Sequence, residues 1–132
     1  MSQFVWPDHR GLLDDFADHF AEIGARLVIV SADDLAAGLA RARLVEDYEP
    51  DTGLFALAAL AFDGVATRHA LLDGNKRLAW QAMTTFLYLN GAYLDAPEVE
   101  AAEVVLDVIT HRRTVGDLAT YLEAHCVPVE GE

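Results

Sequence analysis

Apolar residues recur along much of this chain at the spacing of one helix face. Leu12, Leu13, Phe16, Phe20 and Ile23 follow that period while Asp14, Asp15, Asp18 and Glu22 fall on other faces, which predicts an amphipathic helix over Gly11 to Ile23, ended by Gly24. Arg26 to Val30 is a short β-branched run with no evident pairing partner, so it reads as an extended loop packed on the core. Ser31 and Asp34 resemble a capping box, and Leu35, Leu39 and Ala42 carry a second helix to about Glu46. Asp47 to Gly53, with Pro50, reads as a loop. Leu54 to Val65 is apolar on nearly every face and too long for a typical strand, so it predicts a helix buried in the middle of the domain, with Gly64 weakening its end. Truncating Leu57 or Leu60 to Ala is expected to cost about 2–5 kcal/mol.

Beyond that helix, Asp73 or Gly74 opens a helix running to Asn90, where Asn90-Gly91 forms a C-cap. Asp95-Ala96-Pro97-Glu98 starts another, with Pro tolerated in the first turn, and Val99, Ala102, Val105, Leu106 and Ile109 continue it to about His111. Thr114 and Asp117 repeat the capping pattern and open a last helix through Leu118, Tyr121 and Leu122; the tail after His125 reads as frayed. The pattern predicts an all-α fold, a six-helix bundle around a central buried helix.

Length and composition fit one domain spanning residues 1–132: at 53% hydrophobic residues, the chain can bury a core without disulfide or metal staples. The single Cys126 has no internal partner and Met1 to Val30 lacks a signal-peptide pattern, so a cytoplasmic protein is expected. The longest uncharged run, Leu78 to Leu94, carries Gln81, Thr84, Thr85 and Asn90 and is slightly short for a membrane span. A net charge of -13 argues against direct nucleic-acid binding, which needs basic residues clustered on one face.

One stretch breaks the ordinary grammar of helices. His69-Ala70-Leu71-Leu72-Asp73-Gly74-Asn75-Lys76-Arg77 places a histidine, a carboxylate and two cations at a helix mouth. Asp73 is a natural N-cap and Gly74 lets the backbone approach a ligand. Lys76 and Arg77 face the positive end of the helix dipole, where each loses roughly 0.3–1 kcal/mol. Lys76 is also the only lysine in the chain. First-turn N–H groups, the dipole and two cationic side chains together suit a phosphate group, and His69 is placed to act as a general base on whatever attacks it.

These residues resemble the signature loop of the Fic/Doc family, and specifically its Doc (death on curing) branch, in which Lys stands where Fic enzymes carry a second Gly. Leu71 sits where the family usually has Phe, and Trp80 where Fic adenylyltransferases have a second Arg, which again favours Doc. The likeness covers roughly residues 28 to 125. It implies a compact helical fold and the toxin of a toxin–antitoxin pair, which uses ATP to phosphorylate a hydroxyl on a translation factor, elongation factor Tu in the known branch, and so inhibits translation. The implied roles are His69 as base, Asp73 as ligand of a Mg²⁺ bridging phosphates, Arg77 and Lys76 on phosphate oxygens, and Asn75 with the Gly74 N–H completing the cradle. A small Phd-like antitoxin is the implied partner, and any operator DNA binding is expected to belong to it.

Other candidates carry less. His9, His19, His111 and His125 are scattered without ligand spacing, and Cys126 lies in the polar tail, far from any basic trio that would activate it. Arg41 to Glu49 falls roughly where family members carry the flap that docks a target segment, or is a plain surface loop. Two alternatives to the kinase remain: a Fic-type protein adenylyltransferase, and a catalytically silent module acting only by occupying a partner.

Overall fold

Among the described residues the helical periodicities resolve into six helices, with one small antiparallel pair of strands. The structure, a computed structural model, describes residues 3–22, 29, 31–68 and 74–129. In chain order they form α1 (His9–Glu22), α2 (Ala32–Tyr48), α3 (Leu54–Ala66), α4 (Asn75–Leu89), β1 (Ala92–Leu94), α5 (Glu98–Ile109), α6 (Val115–His125) and β2 (Cys126–Pro128). The all-α bundle expected from the sequence is what forms. Ile23, Gly24 and all of the 26–30 run except Ile29 lie outside the described residues, as does the side chain of Phe20.

The local start signals act as the sequence implies. Ser31 Oγ accepts the Asp34 N–H at 3.3 Å, and Thr114 makes a full capping box: its Oγ1 accepts the Asp117 N–H while Asp117 Oδ2 accepts the Thr114 N–H. Asn90 caps α4 and Gly91 follows at φ 84°, a conformation that favours glycine.

α3 is the centre of the bundle. It packs against α2, α4, α5 and α6, and Leu57, Ala58, Ala59, Ala61 and Phe62 are wholly buried. Leu60 is only partly buried, so the large truncation cost expected there is lowered; the helix turns that side chain toward its least covered flank. Gly64 does not weaken the helix end. A Cβ on Gly64 would lie 2.5 Å from the Gly38 carbonyl oxygen, and one on Gly38 would lie 2.7 Å from the Gly64 carbonyl oxygen, so these glycines let α2 and α3 touch backbone to backbone.

Two more expectations change. Residues 41–48 are the closing turns of α2, with Ala42 and Glu46 buried, so Arg41 to Glu49 forms neither a flap nor a surface loop. The buried Glu46 instead ties down the N-terminal segment: its Oε1 accepts the Trp6 indole N–H at 3.1 Å and its Oε2 the Gln3 N–H at 3.2 Å. The Asn90 side chain holds the same segment from α4, accepting from the Val5 N–H and donating to the Val5 carbonyl, and Trp6 stacks on Phe86 at 4.1 Å. The described part of the tail after His125, residues 126–129, is not frayed either. Residues 126–128 pair with β1 in the register Ala92↔Pro128, Tyr93↔Val127, Leu94↔Cys126, which satisfies backbone groups that a three-residue strand cannot satisfy alone.

Gly64→Ala should cost at least about 1–3 kcal/mol, because the new methyl meets backbone that cannot rotate away. Leu57→Ala should cost about 2–5 kcal/mol, and Leu60→Ala clearly less. Urea unfolding of the three variants checks this ordering; a Gly64→Ala protein as stable as the parent would remove the helix-contact role.

Candidate phosphate-binding site

The mouth of α4 is built on a left-handed glycine. Gly74 is the N-cap at φ 91°, ψ 13°, a conformation that costs other L-residues about 1–2 kcal/mol, and it has no side chain with which to cap. Of the two residues expected to open the helix, Gly74 therefore holds the cap position and Asp73 precedes it. The Leu78 N–H, 2.9 Å from the Gly74 carbonyl, is the first to bond within the helix, so the amides of Lys76 and Arg77 have no acceptor inside it. No acidic residue occupies this first turn, whereas α2, α5 and α6 all begin with one. The bundle thus holds the positive end of a dipole with two further cations on it.

Lys76 and Arg77 are exposed and line a cavity of about 750 Å³ between α1, α4 and α5. Its walls carry Asp15, Phe16 and His19 from α1, Trp80, Gln81 and Thr84 from α4, and Glu98, Ala102 and Val105 from α5. Although Asp15 and Glu98 share the cavity, neither Lys76 nor Arg77 forms an ion pair among the described residues, whereas Arg113 reaches Asp107 at 3.0 Å and Arg68 reaches Asp34 at 4.0 Å. Such a volume lies within the range of small-molecule sites, and α1, α4 and α5 all contribute polar groups to its wall.

Gly74, Asn75, Lys76 and Arg77 are therefore brought together at one helix terminus. His69, Leu71 and Asp73 lie outside the described residues; they belong to the five-residue connection between Arg68, just past α3, and Gly74. Among the described residues no three His, Cys, Asp or Glu side chains converge as a metal-binding group. A Mg²⁺ on nucleotide phosphates has other needs: one hard carboxylate, which Asp73 offers, with phosphate oxygens and water as the remaining ligands.

The remaining candidates resolve into local structure. His125 stacks on Tyr121 at 4.1 Å and lies 3.6 Å from Glu100, and His9 lies 3.8 Å from Asp8. Burial pushes the Cys126 thiol pKa up, which keeps it a poor nucleophile. No described helix is long and apolar enough to cross a membrane. His19 is the exception, because α1 delivers it to the cavity with Asp15. Their i, i+4 spacing puts both on one face of α1, but nothing in the sequence says that α4 is what that face meets.

Over 56 residues the chain is 45% identical to Toxin Doc of Mycolicibacterium smegmatis, an alignment covering 42% of this chain and 43% of that relative's length. Residues 7–87 match the Fic/DOC family, a span that holds the whole 69–77 motif, and the chain belongs to that family.

Proposed function

We propose that this protein is a Doc-like toxin that transfers the γ-phosphoryl group of ATP to a hydroxyl of a protein, with a translation factor, elongation factor Tu by analogy, as the target and inhibition of translation as the outcome. The observation that carries the reading is the pair Lys76 and Arg77, held on the positive end of α4 at a cavity of ligand size with no ion-pairing carboxylate among the described residues. Two cations in that position cost stability unless an anion is bound there. A triphosphate supplies it, and the name of the related Toxin Doc agrees with the biological role.

In the proposed reaction the target hydroxyl oxygen attacks the γ-phosphorus, His69 takes the hydroxyl proton, and the bond from the γ-phosphorus to the bridging β,γ oxygen breaks to release ADP. Phosphoryl transfer asks mainly for positioning and charge neutralisation, which Lys76, Arg77, Asn75 and the Gly74 N–H supply as the cradle. Asp73 is the proposed ligand of Mg²⁺, whose charge when bound offsets that of the phosphates. A Lys at position 76 adds bulk and a point charge beside Arg77, and Trp80 stands where a second Arg would orient nucleotide for attack at the α-phosphate; both features favour the γ-phosphate as the group nearest His69.

A partner antitoxin of Phd type fits the same surface. Val99 and Leu106 are exposed on α5, next to the cavity-lining Ala102 and Val105, and form an apolar edge that a partner segment would cover. With a net charge of -13, this chain is not expected to bind operator DNA itself.

ATP labelled at the γ position should mark the target protein and ATP labelled at the α position should not; α label on the target would replace the kinase with an adenylyltransferase. His69→Ala should abolish transfer and toxicity while changing stability by less than about 1 kcal/mol. Transfer at the parent rate by that variant would remove His69 from the reaction, and no transfer by the parent protein would favour a silent binding module. Lys76→Gln should raise unfolding stability by about 0.3–1 kcal/mol, since it removes a cation from the positive helix end, and weaken ATP binding. Equal or lower stability would mean that Lys76 has a structural partner.

A further inference from the structure

The two tryptophans of this chain are used in opposite ways. Trp6 is satisfied: its ring stacks on Phe86 and its indole N–H donates to Glu46. Trp80 is half-buried, and among the described residues its ring stacks on no other aromatic and its indole N–H has no acceptor. It follows Lys76 by four positions and Arg77 by three, which puts all three on one face of α4, with Trp80 about 4.5–6 Å further along the axis. Trp80 lines the cavity that holds Lys76 and Arg77, and with Thr84 it also lines a second cavity of about 450 Å³ that runs on to Tyr88 and Tyr93. An aromatic wall one turn beyond a phosphate cradle, shared by two neighbouring cavities, has the layout of a site for a nucleotide with its phosphates at one end and its base at the other.

We propose that Trp80 is the base platform of the nucleotide site: the purine ring of ATP stacks on the Trp80 indole while the phosphates lie at Lys76 and Arg77. This rests on the nucleotide reading of the motif and adds its direction. With the base lying along α4, the phosphate chain runs back toward the helix mouth, so the terminal phosphate comes last, at the start of α4. A base held on Trp80 therefore selects the γ-phosphate for transfer, and the residue occupying the second-Arg position becomes the positioning residue that sets which phosphate reacts. Stacking is tolerant of base identity because every base has a π-face, so GTP should bind within a few-fold of ATP, and tripolyphosphate, which has no base, should occupy the phosphate end alone.

The test compares ATP with tripolyphosphate, each with Mg²⁺, by calorimetry and by tryptophan emission. In the parent protein ATP should quench emission saturably and tripolyphosphate should bind without quenching. Trp80→Leu keeps apolar bulk without a π-face; it should weaken ATP roughly tenfold or more and leave tripolyphosphate within twofold, while Trp80→Phe should restore most of the ATP affinity. The quench should be lost in Trp80→Phe, which retains Trp6. ATP binding unchanged in Trp80→Leu, or both ligands weakened equally, would overturn the platform role and leave the phosphate site standing. Failure of the parent protein to bind either ligand would overturn both.

Discussion

The contact on which the rest of the structure depends is the backbone approach of α2 to α3 at Gly38 and Gly64. It fixes the position of α3, and the run of alanines along α3 then lets α4 and α6 close in on its other sides. Because α3 ends just before the 69–77 motif and α4 begins within it, at Asn75, their packing sets both ends of the connection between them. A loop of five residues between two helices in direct contact has little freedom in where it starts and stops.

The scaffold also bears the cost of the site. Two cations on the positive end of α4 lose about 0.3–1 kcal/mol each, while each large core side chain such as Leu57, Phe62, Leu78 or Phe86 gains about 1.5–3 kcal/mol on burial. Burial wins by a wide margin, so the fold tolerates a helix start that helix energetics alone would reject. The same division separates the tryptophans: Trp6 closes the core over Phe86, and Trp80 faces a groove.

Features written in neighbouring residues were legible in the sequence. The caps at Ser31 and Thr114, the Asn90-Gly91 stop, the buried apolar α3 and the cationic helix mouth all depend on residues within a few positions of one another, and they stand where the sequence places them. What escaped depends on partners far along the chain. Pairing of β1 with β2 joins segments over thirty residues apart, and neither three-residue strand carries an alternation of its own. Glycine inside a helix reads locally as weakness, so the Gly38–Gly64 contact was invisible until the two helices were seen together. Asp15, His19 and Glu98 joined the site for the same reason, since tertiary packing alone brings α1 and α5 to the mouth of α4. The Fic/DOC match spans residues 7–87 and so includes the stretch that carries the motif.

The central claim is that the start of α4 binds the phosphates of a nucleotide through its first-turn amides and its two cations. Amide chemical-shift mapping on the isotopically labelled protein tests it most directly, with ATP and Mg²⁺ added in steps. The largest shifts should fall on Gly74, Asn75, Lys76 and Arg77, with the amides on the far side of the bundle in α6 unmoved. A saturable set of shifts centred elsewhere, with those four amides unchanged, would contradict the account.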